Sequence, residues 1–274
     1  MNALTRFIPL LLLLACSSGE ERSPKNSIAK GEYIYRLHDE YFFTALPPEK
    51  QPLPIYPWEQ GQIGSLPKIT KEYFRCKGSS LNVVHTALQK NETVRIADCG
   101  GSERHSLPLR EGKEYIYPIL LDLLNYLQAK TGKRVIITSG HRCPKHNTYI
   151  DPSPANQHSK HLLGAEVSFY ILGLEDRADS IVKLLQAYYQ EKPKYNGSKD
   201  YLDFQRYDKG DTDVATPPWY NKEIYIKLYQ KKEGRDFDNR HPYPYISVQV
   251  RYDWDLQERV QVTWDKAFKN YLRK

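Results

Sequence analysis

No run of this chain is apolar for long. The longest, residues 7–14, covers eight positions, against the roughly 20 that a membrane-spanning helix needs. A bundle of spanning helices is therefore excluded. Heptads, a collagen period and internal repeats are lacking too, and 40% hydrophobic against 27% charged residues is the balance of a globular chain. Basic residues outnumber acidic ones, 40 to 33, yet no block of one sign forms. The net charge of +7 is that of a solvated, mixed surface. Cysteine is scarce, four in 274 residues, and no two stand as CxxC, which removes a zinc ribbon. What the chain has in excess is tyrosine: 22, beside eight Phe and four Trp. Tyrosine packs while keeping a polar tip available to water.

Arg6 and the apolar residues 7–14 form the positive and hydrophobic parts of an export signal. The tetrapeptide Leu13-Leu14-Ala15-Cys16 that follows resembles a bacterial lipobox. That resemblance implies cleavage before Cys16 and diacylglycerol on its thiol. The protein is then expected in the bacterial cell envelope, lipid-anchored and periplasm-facing, with the membrane as one partner and no nucleic acid. An ordinary secretory signal is the alternative, but it leaves the complete four-residue match to chance. Residues 17–30 (SSGEERSPKNSIAK) have almost nothing to bury and read as a tether. Pro47, Pro48, Pro52, Pro54 and Pro57 prevent regular structure in the stretch that follows. Its Phe42, Phe43, Ile55, Tyr56 and Trp58 suggest an arm laid against the domain. The expected division is a signal peptide over 1–15, a tether and Tyr/Pro-rich arm over 16–70, and one domain over 71–274.

With Cys16 acylated, Cys76, Cys99 and Cys143 remain. In an oxidising compartment Cys76 and Cys99 are expected to pair, closing a loop worth about 3 kcal/mol of chain entropy, which leaves Cys143 odd.

Ile116, Ile119, Leu120, Leu123, Leu124 and Leu127 recur as one apolar helical stripe, and Gly132 stops it. Residues 134–138 (RVIIT) then read as a short buried strand. A second helix is expected over 176–190, with Ile181, Leu184, Leu185 and Tyr188 on one face, and a long loop over 192–221. Residues 222–229 alternate, with Ile224, Ile226 and Leu228 inward. Ile246, Val248 and Val250, then Val260, Val262 and Trp264, alternate likewise and predict a hairpin turning at 252–258. Helices followed by strands give an α+β domain with a largely antiparallel sheet.

Between the first strand and the second helix stand Ser139-Gly140-His141-Arg142 and Gln157-His158-Ser159-Lys160-His161-Leu162-Leu163-Gly164. This segment resembles the zinc D-alanyl-D-alanine carboxypeptidases of the VanY type, which share a fold with the hedgehog signalling domain. Ser139, Gly140, Arg142, Gln157, Ser159, His161 and Gly164 match that family's pattern with its spacing kept. The resemblance implies a hedgehog/D-Ala-D-Ala-peptidase fold. It also implies peptidoglycan stem peptides as partners, with Arg142 gripping the peptide carboxylate and Ser139, Gln157 and Ser159 completing substrate binding.

The metal ligands depart from the pattern. His161 fills the first ligand position, but Ser168 stands where the family has an aspartate. Ser247 and Gln249 stand where it has a histidine and an acid. A hydrolytic zinc site needs three protein ligands and an activated water, and a serine hydroxyl is a poor substitute. Glu166, on the same strand face as Ser168, and His241 are the candidate replacements. Three readings follow, in this order: a degenerate peptidase that binds stem peptides without zinc catalysis; an active zinc carboxypeptidase or endopeptidase with a rearranged ligand set; a structural or interaction lipoprotein. No catalytic residue is assigned.

Overall fold

The computed structural model describes residues 61–89, 92–208 and 210–273. The signal peptide, Cys16 and most of the arm lie outside them. The described chain opens with a small hairpin, β1 (Gln62–Ile63) and β2 (Leu66–Pro67). Residues just after it are already tied into the body: Asn125 accepts from the Ile69 amide and donates to its carbonyl, both at 2.8 Å. The end of the stretch assigned to the arm thus belongs to the packed domain.

Two further hairpins precede the helices: β3 (His85–Gln89) with β4 (Glu92–Ile96), and β5 (Leu109–Arg110) with β6 (Lys113–Glu114). Helix α1 (Pro118–Thr131) starts on a proline, whose missing N–H costs nothing there. It ends on Gly132 in the left-handed region, φ 61°. Then come β7 (Val135–Ser139), the short α2 (Pro144–Ile150) and β8 (Glu166–Ile171). They are followed by α3 (Ala178–Glu191) and α4 (Lys199–Leu202). The strands β9 (Gln205–Arg206), β10 (Trp219–Tyr220), β11 (Ile224–Tyr229) and β12 (Tyr245–Val250) follow.

Six strands form one antiparallel sheet in the order β7-β8-β12-β11-β10-β9. The α+β class is therefore observed. Because strand side chains alternate, the sheet has two distinct faces. Val167, Phe169, Ile226, Leu228, Ile246 and Val248 point to one and share a buried core with Leu120, Leu123, Leu127, Ile181 and Leu185 of α1 and α3. The other face carries the polar residues of the resemblance.

One expected element is not formed as read. Val260, Val262 and Trp264 do not pair along β12; only a two-residue hairpin forms, β13 (Tyr252–Asp253) with β14 (Glu258–Arg259). Both edges of β12 are already taken, by β8 and β11. Part of the tyrosine excess also has a different use from a wet surface. Tyr188, Tyr189, Tyr195 and Tyr201 are buried, with ring centroids 4.6 Å apart for Tyr189–Tyr195 and 5.4 Å for Tyr195–Tyr201. The Tyr195 hydroxyl donates to buried Glu223 at 2.6 Å.

Candidate functional site

Register builds the site. Ser168 on β8 lies opposite Ser247 on β12, and Ser247 lies opposite Lys227 on β11. Glu166 lies opposite Gln249 in the next row on the same face. These rows form one wall of a cleft of about 870 Å³, which also receives Arg142, Ser159, His161, Asp213 and Asp236. Four positions singled out from sequence spacing (His161, Glu166, Ser168 and Gln249) thus converge on one cleft.

Glu166 is buried on the cleft wall, and one of its carboxylate oxygens is engaged by its own chain. Ser247 Oγ donates to its Oε1 at 2.7 Å and Gln249 Nε2 donates to the same oxygen at 3.0 Å. Burial works against its charge, but the neighbouring imidazole of His161 and these two donors outweigh it and hold the carboxyl below its ordinary value. His161 donates Nδ1–H to the Gly140 carbonyl at 2.6 Å, leaving Nε2 3.6 Å from Glu166 Oε1. Burial lowers this imidazole below the usual histidine range, against the opposing pull of the Glu166 carboxylate.

A hydrolytic zinc ion does not fit this set. Among the described residues, no third histidine, cysteine or carboxylate joins His161 and Glu166 in a metal-sized group. Ser247 and Gln249 present hydrogen-bond donors where lone pairs are needed. His241 does not supply the missing ligand: it stacks among Tyr170, Tyr243 and Tyr245, with Tyr170 4.9 Å away, and does not line the cleft.

Arg142 reaches the cleft, but much of its fork is engaged. Its Nε donates to Ser139 Oγ at 2.7 Å and to Asp238 Oδ2 at 3.1 Å, and its Nη2 to Asp236 Oδ2 at 3.0 Å. The carboxylates expected from a ligand are supplied by the loop before β12. Ser139 is buried, donates to Asp238 at 2.7 Å and lies off the cleft wall. Gln157 is exposed and likewise off it. Ser159 lines the cleft while its Oγ accepts from the His161 amide at 3.3 Å.

The network continues inward. His146 bridges Asp98 Oδ1 at 2.7 Å and Asp238 Oδ1 at 3.1 Å, so both ring nitrogens donate and the ring is cationic. Burial opposes that charge, but Asp238 and Asp98 outweigh it and raise the imidazole to about 10. Asp238 is held well below the carboxylate range: burial works the other way, and His146, Arg142 and Ser139 overcome it. Two cations and three aspartates thus lock the loop after β7 and the first turn of α2 to the loop after β4 and to the loop before β12.

The cysteines depart from expectation. Cys76, Cys99 and Cys143 are all buried free thiols. Cys76 Sγ and Cys99 Sγ stand 3.8 Å apart, far beyond the ~2.05 Å of a disulfide. Cys143, expected to be left odd, caps α2 and joins the other two in a single cluster.

No family model, curated protein or solved structure matches this chain. The resemblance to VanY-type enzymes therefore rests on the sequence of the central segment alone.

Sequence reasoning missed Asp213, Asp236, Asp238 and Lys227. Lys227 donates to Asp213 Oδ1 at 2.6 Å inside the cleft. The signal available was the Asp236-Phe237-Asp238-Asn239 run in a loop, two carboxylates spaced to face one side.

Proposed function

We propose that this domain is a degenerate member of the VanY-type peptidase fold that binds peptidoglycan stem peptides in its cleft without hydrolysing them, held at the envelope membrane by a lipid on Cys16. The observation that carries the reading is Glu166. Its carboxylate accepts from Ser247 and Gln249, the positions where a zinc peptidase of this type needs a ligand and an acid. Gln249 cannot take a proton from an attacking water, so the general-base step has no group to perform it there. Binding is supported by a cleft that mixes cations and anions: Lys160, Lys227 and Arg235 beside Asp151, Asp211 and Asp213. A stem peptide, with an amine and several carboxylates, presents the complementary mixture. Burial lowers Lys160 to about 8, so its charge strengthens toward neutral and mildly acidic pH.

The test is calorimetric titration of the full chain with a muropeptide ending in D-Ala-D-Ala, followed by assay of the mixture for free D-Ala. The expected result is saturable binding, weakened by Lys227→Gln, and no D-Ala release with or without added zinc. Chelator-sensitive release of D-Ala, abolished in His161→Ala and Glu166→Ala, would replace this reading with an active enzyme. Absence of both binding and release would leave a structural lipoprotein.

A further inference from the structure

From the cluster behind the cleft we infer that this protein carries a closed, structural zinc site of Cys3His type, made by Cys76, Cys99, Cys143 and His105. One ligand atom from each of the four lies within 4.8 Å of every other, and all four residues are buried. The spacing is that of a coordination shell. Two thiolates on a tetrahedral zinc ion at about 2.3 Å stand about 3.8 Å apart. Cys76 and Cys99 stand at that separation.

The donors are prepared for a cation. His105 Nδ1 faces the Ser106 carbonyl at 3.2 Å, which makes it the N–H and leaves the lone pair on Nε2. That Nε2 is buried and has no hydrogen-bond partner, although the residue is only 5% exposed. Backbone amides of Gly101 and His146 donate to Cys99 Sγ and Cys143 Sγ, each at 3.4 Å. Such bonds orient sulfur ligands. A side chain on Gly78 would collide with Cys99 Sγ and Asp98, so the backbone can pass this close only as glycine. An imidazole nitrogen buried without a partner against three sulfurs is a costly way to fill a core.

Four protein ligands leave no open position for water or substrate, so the ion serves architecture and performs no hydrolysis. Its ligands come from three separate places: the turn after residues 71–74 (Cys76), the loop between β4 and β5 (Cys99 and His105), and the N-terminus of α2 (Cys143). Cys143 is the neighbour of Arg142. The ion therefore fixes the loop that forms the cleft's inner wall. This inference does not depend on what the cleft binds.

The experiment is elemental analysis of the full chain, purified without chelator, combined with peptide-resolved alkylation of its thiols. One zinc per chain is expected after gel filtration. Cys76, Cys99 and Cys143 should resist iodoacetamide until chelator and denaturant are added together. Co(II) substitution should give an intense sulfur-to-metal charge-transfer band. His105→Asn keeps all three sulfurs and should lower zinc retention at least tenfold, whereas His161→Ala should keep one zinc. Should His105→Asn fail to fold, the wild-type stoichiometry and thiol protection still decide. A zinc-free chain with a Cys76–Cys99 disulfide recovered by digestion would overturn the site, as would zinc lost in His161→Ala but kept in His105→Asn.

Discussion

Two regions of this molecule gather metal-binding side chains, and they have gone opposite ways. In the cleft, the sequence spacing resembles that of a zinc peptidase, yet the donors around His161 are a buried glutamate, two serines and a glutamine. Behind the loop of Arg142, no spacing motif exists, yet three sulfurs and an imidazole meet within coordination distance. A motif records where ligands would be if the chemistry were kept; only three-dimensional convergence records which donors are there. The same loop, residues 139–146, serves both sides, with Arg142 facing the cleft and Cys143 facing the cluster.

The comparison breaks most visibly on metal removal. Chelation under mild denaturant should lower the urea midpoint by the equivalent of about 4 kcal/mol or more, the linkage stabilisation at a thousandfold excess over Kd. Glu166→Gln should show the same loss on chelation, since the cleft holds no share of that ion. Equal stability with and without chelator would remove the distinction between the two regions.

Next in size is Arg142→Met. It leaves Asp238 buried with one cation fewer, and a broken buried pair costs about 3–5 kcal/mol. Urea unfolding should show it near the lower end, because Asp236 is partly solvated and can recover water. A loss below about 1 kcal/mol would mean Arg142 is held for a ligand and not for the fold.

Glu166→Ala is expected to cost about 1–3 kcal/mol, the penalty for stranding the buried donor of Ser247 and the half-buried one of Gln249. Thermal melting checks it. A gain in stability would suggest instead that the carboxylate is retained for a cation in the cleft.

Acidity sharpens the picture by a smaller, continuous effect. His146 is raised to about 10 from an unfolded value near 6.5, so its contribution is full below about pH 6.5 and fades as pH climbs toward 10. Asp238 is depressed, so its contribution is present above its unfolded value near 4 and is lost as pH falls below it. Urea midpoints across pH should therefore plateau between about 4 and 6.5. His146→Gln should flatten the alkaline limb and also shrink the acid one, because His146 helps to hold Asp238 low; an unchanged alkaline limb would sink the assignment of a cationic His146.

Much of this was legible in the sequence for identifiable reasons. The apolar stripe of α1 and the alternation of β11 and β12 report burial directly, because one face of each element meets the core. Ser168 and Ser247 were singled out separately, as residues standing where the resemblance implies metal ligands, and they pair across the sheet. The rest depended on partners far apart in the chain. Alternation at 260–264 told which side chains face the same way but not that β12 had no free edge, and Trp264 ends largely exposed. The aspartates that engage Arg142 lie nearly a hundred residues beyond it. The four donors of the cluster are spread over residues 76–143 at irregular intervals, so two of its cysteines read as a disulfide and the third as a remainder.

X-ray absorption at the zinc edge of the full, metal-replete chain tests the central claim most directly, because it counts the atoms around the ion without any substitution. The account predicts a sulfur-dominated shell, three sulfurs at about 2.3 Å and one nitrogen at about 2.0–2.1 Å. A shell of nitrogen and oxygen alone would place the metal beside His161 and Glu166 and contradict it.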